Sequence, residues 1–388
     1  MKKAIVLFLI MFVMYPTRSI SKENTTIEVS QTEILSSQKE AVNISKFVDE
    51  AQKYTKDVYE DIDFNQLLNS ALQGNIDNKL LYKSIFNVLG KETISSIKTI
   101  ASIMIVIIIH SILKSISEGL ENKGVAQVSY YVQYILIVTL IMTNFADIIT
   151  MLKETITNLV AFSNTLIPIL ITLILTTGSI GTANMLQPIL LFIITFIGNF
   201  ILNVAIPVLL ASSALGIVSK ISSYVQLERL SKFFKSSIIW ALGVVLTLFV
   251  SIVSIEGSLS SSVDGVTAKT AKAAVSSFIP VVGKILGDAV DTVIGCASIL
   301  KNAVGIVGII IIIGICILPI IKLVLLMITY YIGSAICEPI ADEKIVKLLS
   351  QMGDTFKIML GIMCSLSVML IIGTTLVMKI SNSSLMYR

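Results

Sequence analysis

The sequence predicts an all-α protein, a polytopic transmembrane helical bundle, and three observations support this. First, 55% of the 388 residues are hydrophobic and only 14% are charged, whereas soluble domains carry about 25% charged residues. Second, the mean hydropathy is +0.89, so apolar surface must face lipid as well as the protein interior. Third, the apolar residues occur in long uninterrupted runs, not in the short alternating segments of a β-barrel.

The N-terminus has the form of a secretory signal peptide over residues 1–21. Lys2 and Lys3 precede an apolar core of about 11 residues, which is short for a transmembrane helix of about 20. Ser19 and Ser21 are small residues at the cleavage positions. Cleavage is the favoured interpretation and a retained anchor is the alternative. In both cases the segment that follows is exported.

Residues 22–92 are predicted to be an exported acidic helical region. They hold 12 acidic and 8 basic residues, a net charge of −4, although the whole chain carries +4. A helical stripe of apolar residues begins at Ala41, Asp63 is placed to cap a second helix, and Gly90 ends a third. We expect the apolar stripes to rest on a partner or on the membrane surface. A solvated linker is the alternative.

Apolar runs predict transmembrane helices over residues 93–255. The run at 185–218 is too long for one untilted helix and short for two, and Asn199, Asn203 and Pro207 form its candidate helix break. No arrangement satisfies the positive-inside rule at every basic loop, so the topology after residue 185 is left open. The predicted spans are Ile94–Ile112, Val128–Ile149, Val160–Thr177, Met185–Val218 and Ile238–Ile255.

The stretch 256–302 is a charged segment, broken by proline and glycine, between apolar runs. Two short helices around such a break predict a re-entrant helical hairpin that lines a polar cavity, because charged groups at membrane depth face protein or water. An amphipathic hairpin lying at the interface is the alternative. The candidate pore, gate or hairpin residues are Pro280, Gly283, Lys284, Gly287, Asp288 and Asp291.

Three further elements complete the chain. Residues 303–337 predict a transmembrane helix pair, or one kinked helix, around Lys322. An amphipathic surface helix is predicted over residues 338–357. A final transmembrane helix is predicted over 358–379, before the tail 380–388. The apolar stripe of the surface helix consists of Ile345, Leu348, Leu349, Met352 and Phe356.

Two stretches resemble the signature regions of the stage III sporulation protein AE family. They are VDGVTAKTAKAAVSSFIPVVGKILGDAVDTVIG, residues 263–295, and CEPIADEKIVKLLSQMGD, residues 337–354. The layout from about residue 40 to 380 is also similar. The resemblance implies a multi-pass protein of a spore-forming bacterium, in the mother cell membrane around the forespore, with its N-terminal region exported.

The same resemblance implies a non-enzymatic component of a channel or secretion-like complex that supports late forespore development. Expected partners are other proteins of the same operon, including a cytoplasmic ATPase and ring proteins of the intermembrane space. Self-association is left open. The family pattern brings no catalytic residues to this chain.

Other functions are weighed against this one. A stand-alone secondary transporter of ions or small solutes is the main alternative, since broken helices are typical of transporters. An intramembrane aspartyl protease using Asp147 and Asp288 is disfavoured, because the first glycine of the expected G-x-G-D pattern is absent before Asp288. The sequence has no P-loop and no nucleic-acid-binding pattern. Its four dispersed cysteines and single histidine predict no metal site or cofactor.

Overall fold

The computed structural model describes residues 28–60, 62–118, 123–221, 227–278 and 282–386. Within these ranges every regular element is helical and no β-strand occurs. This confirms the all-α prediction. The predicted signal peptide over residues 1–21 lies outside the described residues.

Three short helices open the described chain. Helix α1 spans Glu28–Ala41, α2 spans Ile44–Thr55 and α3 spans Phe64–Leu72. The carboxylate of Asp63 accepts a hydrogen bond from the backbone N–H of Asn65 at 2.8 Å. Asp63 therefore caps α3, as its position before the apolar run predicts.

Seven longer helices follow, and α6 and α7 are joined by a π-helical segment, Ile201–Ala205. The described residues contain six helices that are long and apolar enough to cross a membrane, which confirms the polytopic prediction. The helices are α4 Asn78–Glu118, α5 Lys123–Thr176, α6 Ile180–Phe200, α7 Ile206–Ile221, α8 Glu228–Phe278, α9 Val282–Cys337 and α10 Glu343–Met386. The candidate spans are Lys79–Ile109, Tyr134–Thr176, Ile180–Lys220, Glu228–Ile255, Thr292–Cys337 and Glu343–Lys379.

The long helices join elements that the sequence predicted to be separate. The spans predicted over 128–149 and 160–177 lie almost entirely in α5, because Lys153 and Glu154 between them are good helix formers on an exposed face. The helix pair predicted over 303–337 lies within α9, which continues through Pro319. The final span predicted over 358–379 and most of the surface helix predicted over 338–357 belong to α10, which begins at Glu343.

Several connections between the long helices meet at one end of the bundle. Lys220 at the end of α7 lies 2.6 Å from Glu228 at the start of α8. Ser111 in α4 donates a hydrogen bond at 2.8 Å to the carbonyl of Ile340, which precedes α10. We call this the basic end, because the helix ends here carry Lys220, Arg229, Lys232, Lys235, Lys344 and Lys347.

The three short helices pack against the long helices of the same chain. The rings of Phe47 and Phe162 lie 5.7 Å apart, and the amide of Gln38 donates to the carbonyl of Val293 at 3.2 Å. The apolar stripe of α2 is therefore buried against α5 and α9, and not against a partner or the membrane surface as expected. Val293 is 44 residues from Cys337, so α1 lies far from the basic end, by about 66 Å along α9.

Tyr59 follows α2 and is buried in this N-terminal packing, with only 4% of its surface exposed. Burial raises the pKa of its phenol from 10.0 to about 12 because the charged form loses hydration. Undocking of the short helices lets the phenol ionise at its ordinary pKa. The docked state is therefore at full stability below pH 10 and loses stability as the pH rises from about 10 to about 12.

This alkaline undocking is measurable as protease cleavage within residues 28–72 between pH 9 and pH 12. The Tyr59→Phe variant keeps the ring and removes the ionisable group, so its cleavage rate should stay flat over the same range. An identical pH profile for the two proteins would contradict the assignment to Tyr59.

Candidate functional site

The predicted hairpin around Pro280 lies where two long helices end. Helix α8 ends at Phe278 and α9 begins at Val282, while Pro280 lies outside the described residues. The backbone of the predicted site residues after it is helical, in the first turns of α9, and their side chains also lie outside the described residues. These are Gly283, Lys284, Gly287, Asp288 and Asp291.

The arms of this hairpin differ from the two short helices that the sequence predicted. Helix α8 continues without a break for 23 residues beyond Ile255, where its candidate span ends. At 1.5 Å per residue this extension is about 35 Å long, which exceeds the thickness of a bilayer hydrocarbon core of about 30 Å. No residue between 256 and 278 ends the helix, because the glycines there are isolated and the first proline is Pro280.

The predicted break at Asn199, Asn203 and Pro207 takes the form of a π-helical segment, not of two half-helices. The backbone N–H of Ile206 bonds to the carbonyl of Ile201, five residues earlier. Pro207 lacks the N–H that an α-helix would direct at residue 203. A widened turn before a proline accommodates that loss without a loop. All three predicted residues are exposed on the surface of the bundle.

A group of buried polar side chains joins α7, α8 and α10 near the basic end, and we call it the polar seam. The hydroxyl of Ser212 donates to the carbonyl of Ser231 at 2.8 Å, and the hydroxyl of Ser231 donates to the carbonyl of Ser212 at 2.7 Å. Two helices thus exchange reciprocal hydrogen bonds inside an apolar bundle. The polar seam consists of the buried Ser212, Ser213, Ser231, Lys235 and Thr355, together with the half-buried Gln351.

The carbonyl of Gln351 connects α8 to α10 within the polar seam. It accepts hydrogen bonds from the ammonium of Lys235 at 3.2 Å and from the hydroxyl of Thr355 at 3.0 Å. Lys235 is 9% exposed. A charged group inside a membrane bundle is costly and is retained where it has a structural or transport role. The seam therefore fixes the relative position of α8 and α10.

An open groove of about 610 Å³ lies between α5 and α7 beside the polar seam. Its lining is mostly apolar and includes Phe145, Ala146, Ala211 and Ser213. Ser213 also approaches Thr355 of the seam, with 3.5 Å between their hydroxyl oxygens. The groove can accept an apolar chain or helix edge, and it reaches polar groups only through Ser213 and Thr150.

The described side chains form no metal centre, and they include only one member of the candidate carboxylate dyad. Among the described residues no cluster of three or more metal-ligating side chains occurs. The four cysteines are unpaired thiols on α9 and α10, of which Cys296, Cys316 and Cys337 are buried. Asp147 is exposed on α5, and the side chain of Asp288 lies outside the described residues, so their pairing stays a hypothesis.

The helical body, six apolar spans and buried polar seam define a polytopic α-helical membrane protein. The chain belongs to the stage III sporulation protein AE family, whose model matches residues 62–381. The Stage III sporulation protein AE of Bacillus subtilis (strain 168) is 29% identical over 306 residues, which cover 79% of this chain and 77% of that protein. No solved structure shows a significant match to the chain. The family prediction made from residues 263–295 and 337–354 is confirmed.

Proposed function

We propose that this chain is a non-enzymatic membrane component of a sporulation-specific channel or secretion-like complex that links mother cell and forespore and serves late forespore development. The observation that carries the proposal is the family match over residues 62–381, which covers all six candidate spans. Membership makes it a stage III sporulation protein. The channel role draws further support from a charged hairpin and a buried polar seam in one apolar body.

The charge distribution supports one orientation in the membrane. The positive-inside rule places loops rich in lysine and arginine in the cytoplasm. The six spans place the basic stretch 220–235 at the basic end together with Lys344 and Lys347. The acidic short helices lie far from that end along α9. On this basis the basic end faces the mother cell cytoplasm and the N-terminal helices face the intermembrane space.

This orientation assigns a side to each class of partner. The cytoplasmic ATPase would meet the basic end, where Arg229 and Lys232 are exposed. Ring proteins of the intermembrane space would meet the N-terminal helices and the extension of α8 beyond Ile255. Lys284, Asp288 and Asp291 belong to this second surface as proposed pore or gate positions.

A secondary transporter is the second candidate function, and two observations favour it. The π-helical segment Ile201–Ala205 interrupts the regular hydrogen bonding of a span near its centre, and transporters use such discontinuities to build midplane sites. The groove beside the polar seam offers space for a small apolar solute. Uptake of a solute by liposomes that contain only this protein would favour the transporter.

A deletion strain of the host tests the channel role. The expected result is forespore collapse and loss of late forespore transcription, restored by the wild-type chain. Complementation by Lys284→Ala, Asp288→Asn and Asp291→Asn tests the hairpin separately. Normal sporulation of the deletion strain would refute the proposed function, whereas full activity of all three variants would refute only the pore or gate role.

Cysteine labelling tests the orientation. An impermeant thiol reagent applied from the cytoplasmic side should label Lys232→Cys and leave Glu50→Cys unlabelled. The native cysteines are first replaced, so that each protein carries one thiol. Labelling of Glu50→Cys from the cytoplasm would invert the proposed orientation and leave family membership untouched.

A further inference from the structure

Two of the four thiols occupy facing positions on α9 and α10. Ser334 on α9 donates a hydrogen bond to the carbonyl of Val346 on α10 at 3.0 Å, which sets the register of these two antiparallel helices. Cys316 lies 18 residues before Ser334, and Cys364 lies 18 residues after Val346. Because 18 residues are five whole turns of an α-helix, each cysteine lies on the same face of its helix as the contacting residue. Cys316 and Cys364 therefore face each other across the two helices.

The two helices stay in contact on both sides of this thiol pair. On one side the rings of Tyr330 and Phe356 lie 5.2 Å apart. On the other side Gly305 packs against Met378 so closely that a Cβ atom on the glycine would clash with the methionine sulfur. Helix α9 is continuous between these contacts, through Pro319. The register therefore holds over the whole interface that contains the thiols.

The surroundings of the two thiols suit a stepwise reaction. The Cys316 thiol interacts with the hydroxyl of Ser367, one turn after Cys364, and electrostatically with the Cys364 thiol itself. Cys316 is buried, with 2% of its surface exposed, whereas Cys364 is half-buried. A small reagent can therefore reach Cys364 first, with the second thiol behind it. The thiol of Cys337, in contrast, contacts the thioether sulfur of Met104 at 3.2 Å.

We propose that Cys316 and Cys364 are a redox-active pair that forms a disulfide between α9 and α10, with a small disulfide compound, RSSR, as the oxidant. The Cys364 thiolate, which is the nucleophilic form of the thiol, attacks one sulfur of RSSR and releases RS⁻. The Cys316 thiolate then attacks the sulfur of Cys364 in this mixed disulfide, and a second RS⁻ leaves. The protein gives up two protons and two electrons, and RSSR is reduced to two RSH.

The new bond would join α9 to α10 about 27 Å from the contact between Ser334 and Val346. It would close a long loop of chain that contains the connection between the two helices, and such closure stabilises the folded state by restricting the unfolded chain. It would also prevent α9 from sliding along α10. The inference goes beyond the proposed function and holds for either candidate function.

Reaction of the full chain with 2,2′-dipyridyl disulfide in detergent tests the pairing. Cys296→Ala and Cys337→Ala leave the proposed pair as the only thiols. The expected products are two pyridine-2-thione molecules per chain and a protein that has lost two hydrogen atoms, carries no adduct and yields one cross-linked peptide with both cysteines. The same cross-linked peptide should appear after treatment of the unsubstituted chain, which guards against a folding defect of the variant.

The matched control keeps Cys337 in place of Cys316. Cys337 lies 21 residues from Cys316 on α9, or about 32 Å, so a chain with Cys296→Ala and Cys316→Ala should retain the pyridyl adduct on Cys364 and yield no cross-linked peptide. A lasting adduct on Cys364 in the chain that keeps Cys316 would overturn the proposal, because the two Cα atoms would then lie beyond the roughly 7 Å that a disulfide spans. An unmodified Cys364 would overturn it as well, since the reaction begins at that thiol.

Discussion

Replacing Phe356 with alanine is expected to lower the free energy of unfolding by about 3–5 kcal/mol. Phe356 on α10 is fully buried. Its ring lies 5.2 Å from that of Tyr330 on α9 and 6.1 Å from that of Phe145 on α5. One side chain thus holds three long helices together. Its removal leaves a cavity in a region where packing, not exclusion of water, drives helix association.

The measurement is thermal or denaturant unfolding in a single detergent, compared with Val368→Ala on the same helix. Val368 is 37% exposed, so its truncation should cost well under 1 kcal/mol in this environment. Phe356→Leu should restore most of the loss, because it refills much of the volume. Equal losses for the Phe356 and Val368 variants would show that the aromatic cluster is not a stabilising contact.

Replacing Gly314 with leucine is expected to undock the short N-terminal helices. A Cβ atom on Gly314 would lie 2.5 Å from Cε2 of Tyr59 and 3.1 Å from Cγ2 of Thr55. Both neighbours are buried, at 4% and 1% exposure, and an aromatic ring cannot bend away as a flexible chain end can. Overpacking of this kind costs about 1–3 kcal/mol.

The control is Gly295→Leu on the same helix, where nothing lies within 4 Å of the added Cβ. Limited proteolysis should cut residues 28–72 of the Gly314→Leu protein at least tenfold faster than those of the Gly295→Leu protein. The transmembrane body should resist cleavage in both. Slow cleavage of both proteins would mean that the N-terminal helices do not depend on this close approach.

The amphipathic elements could be predicted because their periodicity survives in the structure. The stripe that runs from Ile345 to Phe356 is buried at every predicted position, and Asp63 caps the helix it precedes. A helical stripe and a cap are local properties of the sequence. They do not depend on which surface covers the apolar face. The stripe of α2 is an example, because the stripe was predicted correctly although the surface that covers it was not.

The lengths of the helices could not be predicted from hydropathy. A charged pair such as Lys153 and Glu154 divides two apolar runs but is fully compatible with one helix. The topology after residue 185 was left undecided for the same reason, because hydropathy does not show how many times the run 185–218 crosses the membrane. Once 180–221 crosses as one helix with a π-helical segment, the basic stretch 220–235 meets Lys344 and Lys347 at one end.

The polar seam was missed because its members are separated along the sequence. Ser212 and Ser231 are 19 residues apart, and Gln351 is 116 residues from Lys235. Serines in apolar helices are common, since their hydroxyls usually bond to the preceding turn. The one available signal was the low number of charged residues in the body of the chain, which makes a lysine at position 235 conspicuous.

Helix α9 is continuous, so it connects two distant sets of contacts mechanically. Gly314 touches the N-terminal helices, and Ser334 donates a hydrogen bond to the carbonyl of Val346 at 3.0 Å near the basic end. These points are 20 residues, or about 30 Å, apart on one helix. A displacement of the short helices would therefore be transmitted to α10 through the continuous helix α9, without an intervening loop. Pro319 lies between the two points. Because it lacks an N–H and leaves one helical hydrogen bond unmade, it is the position at which α9 would bend.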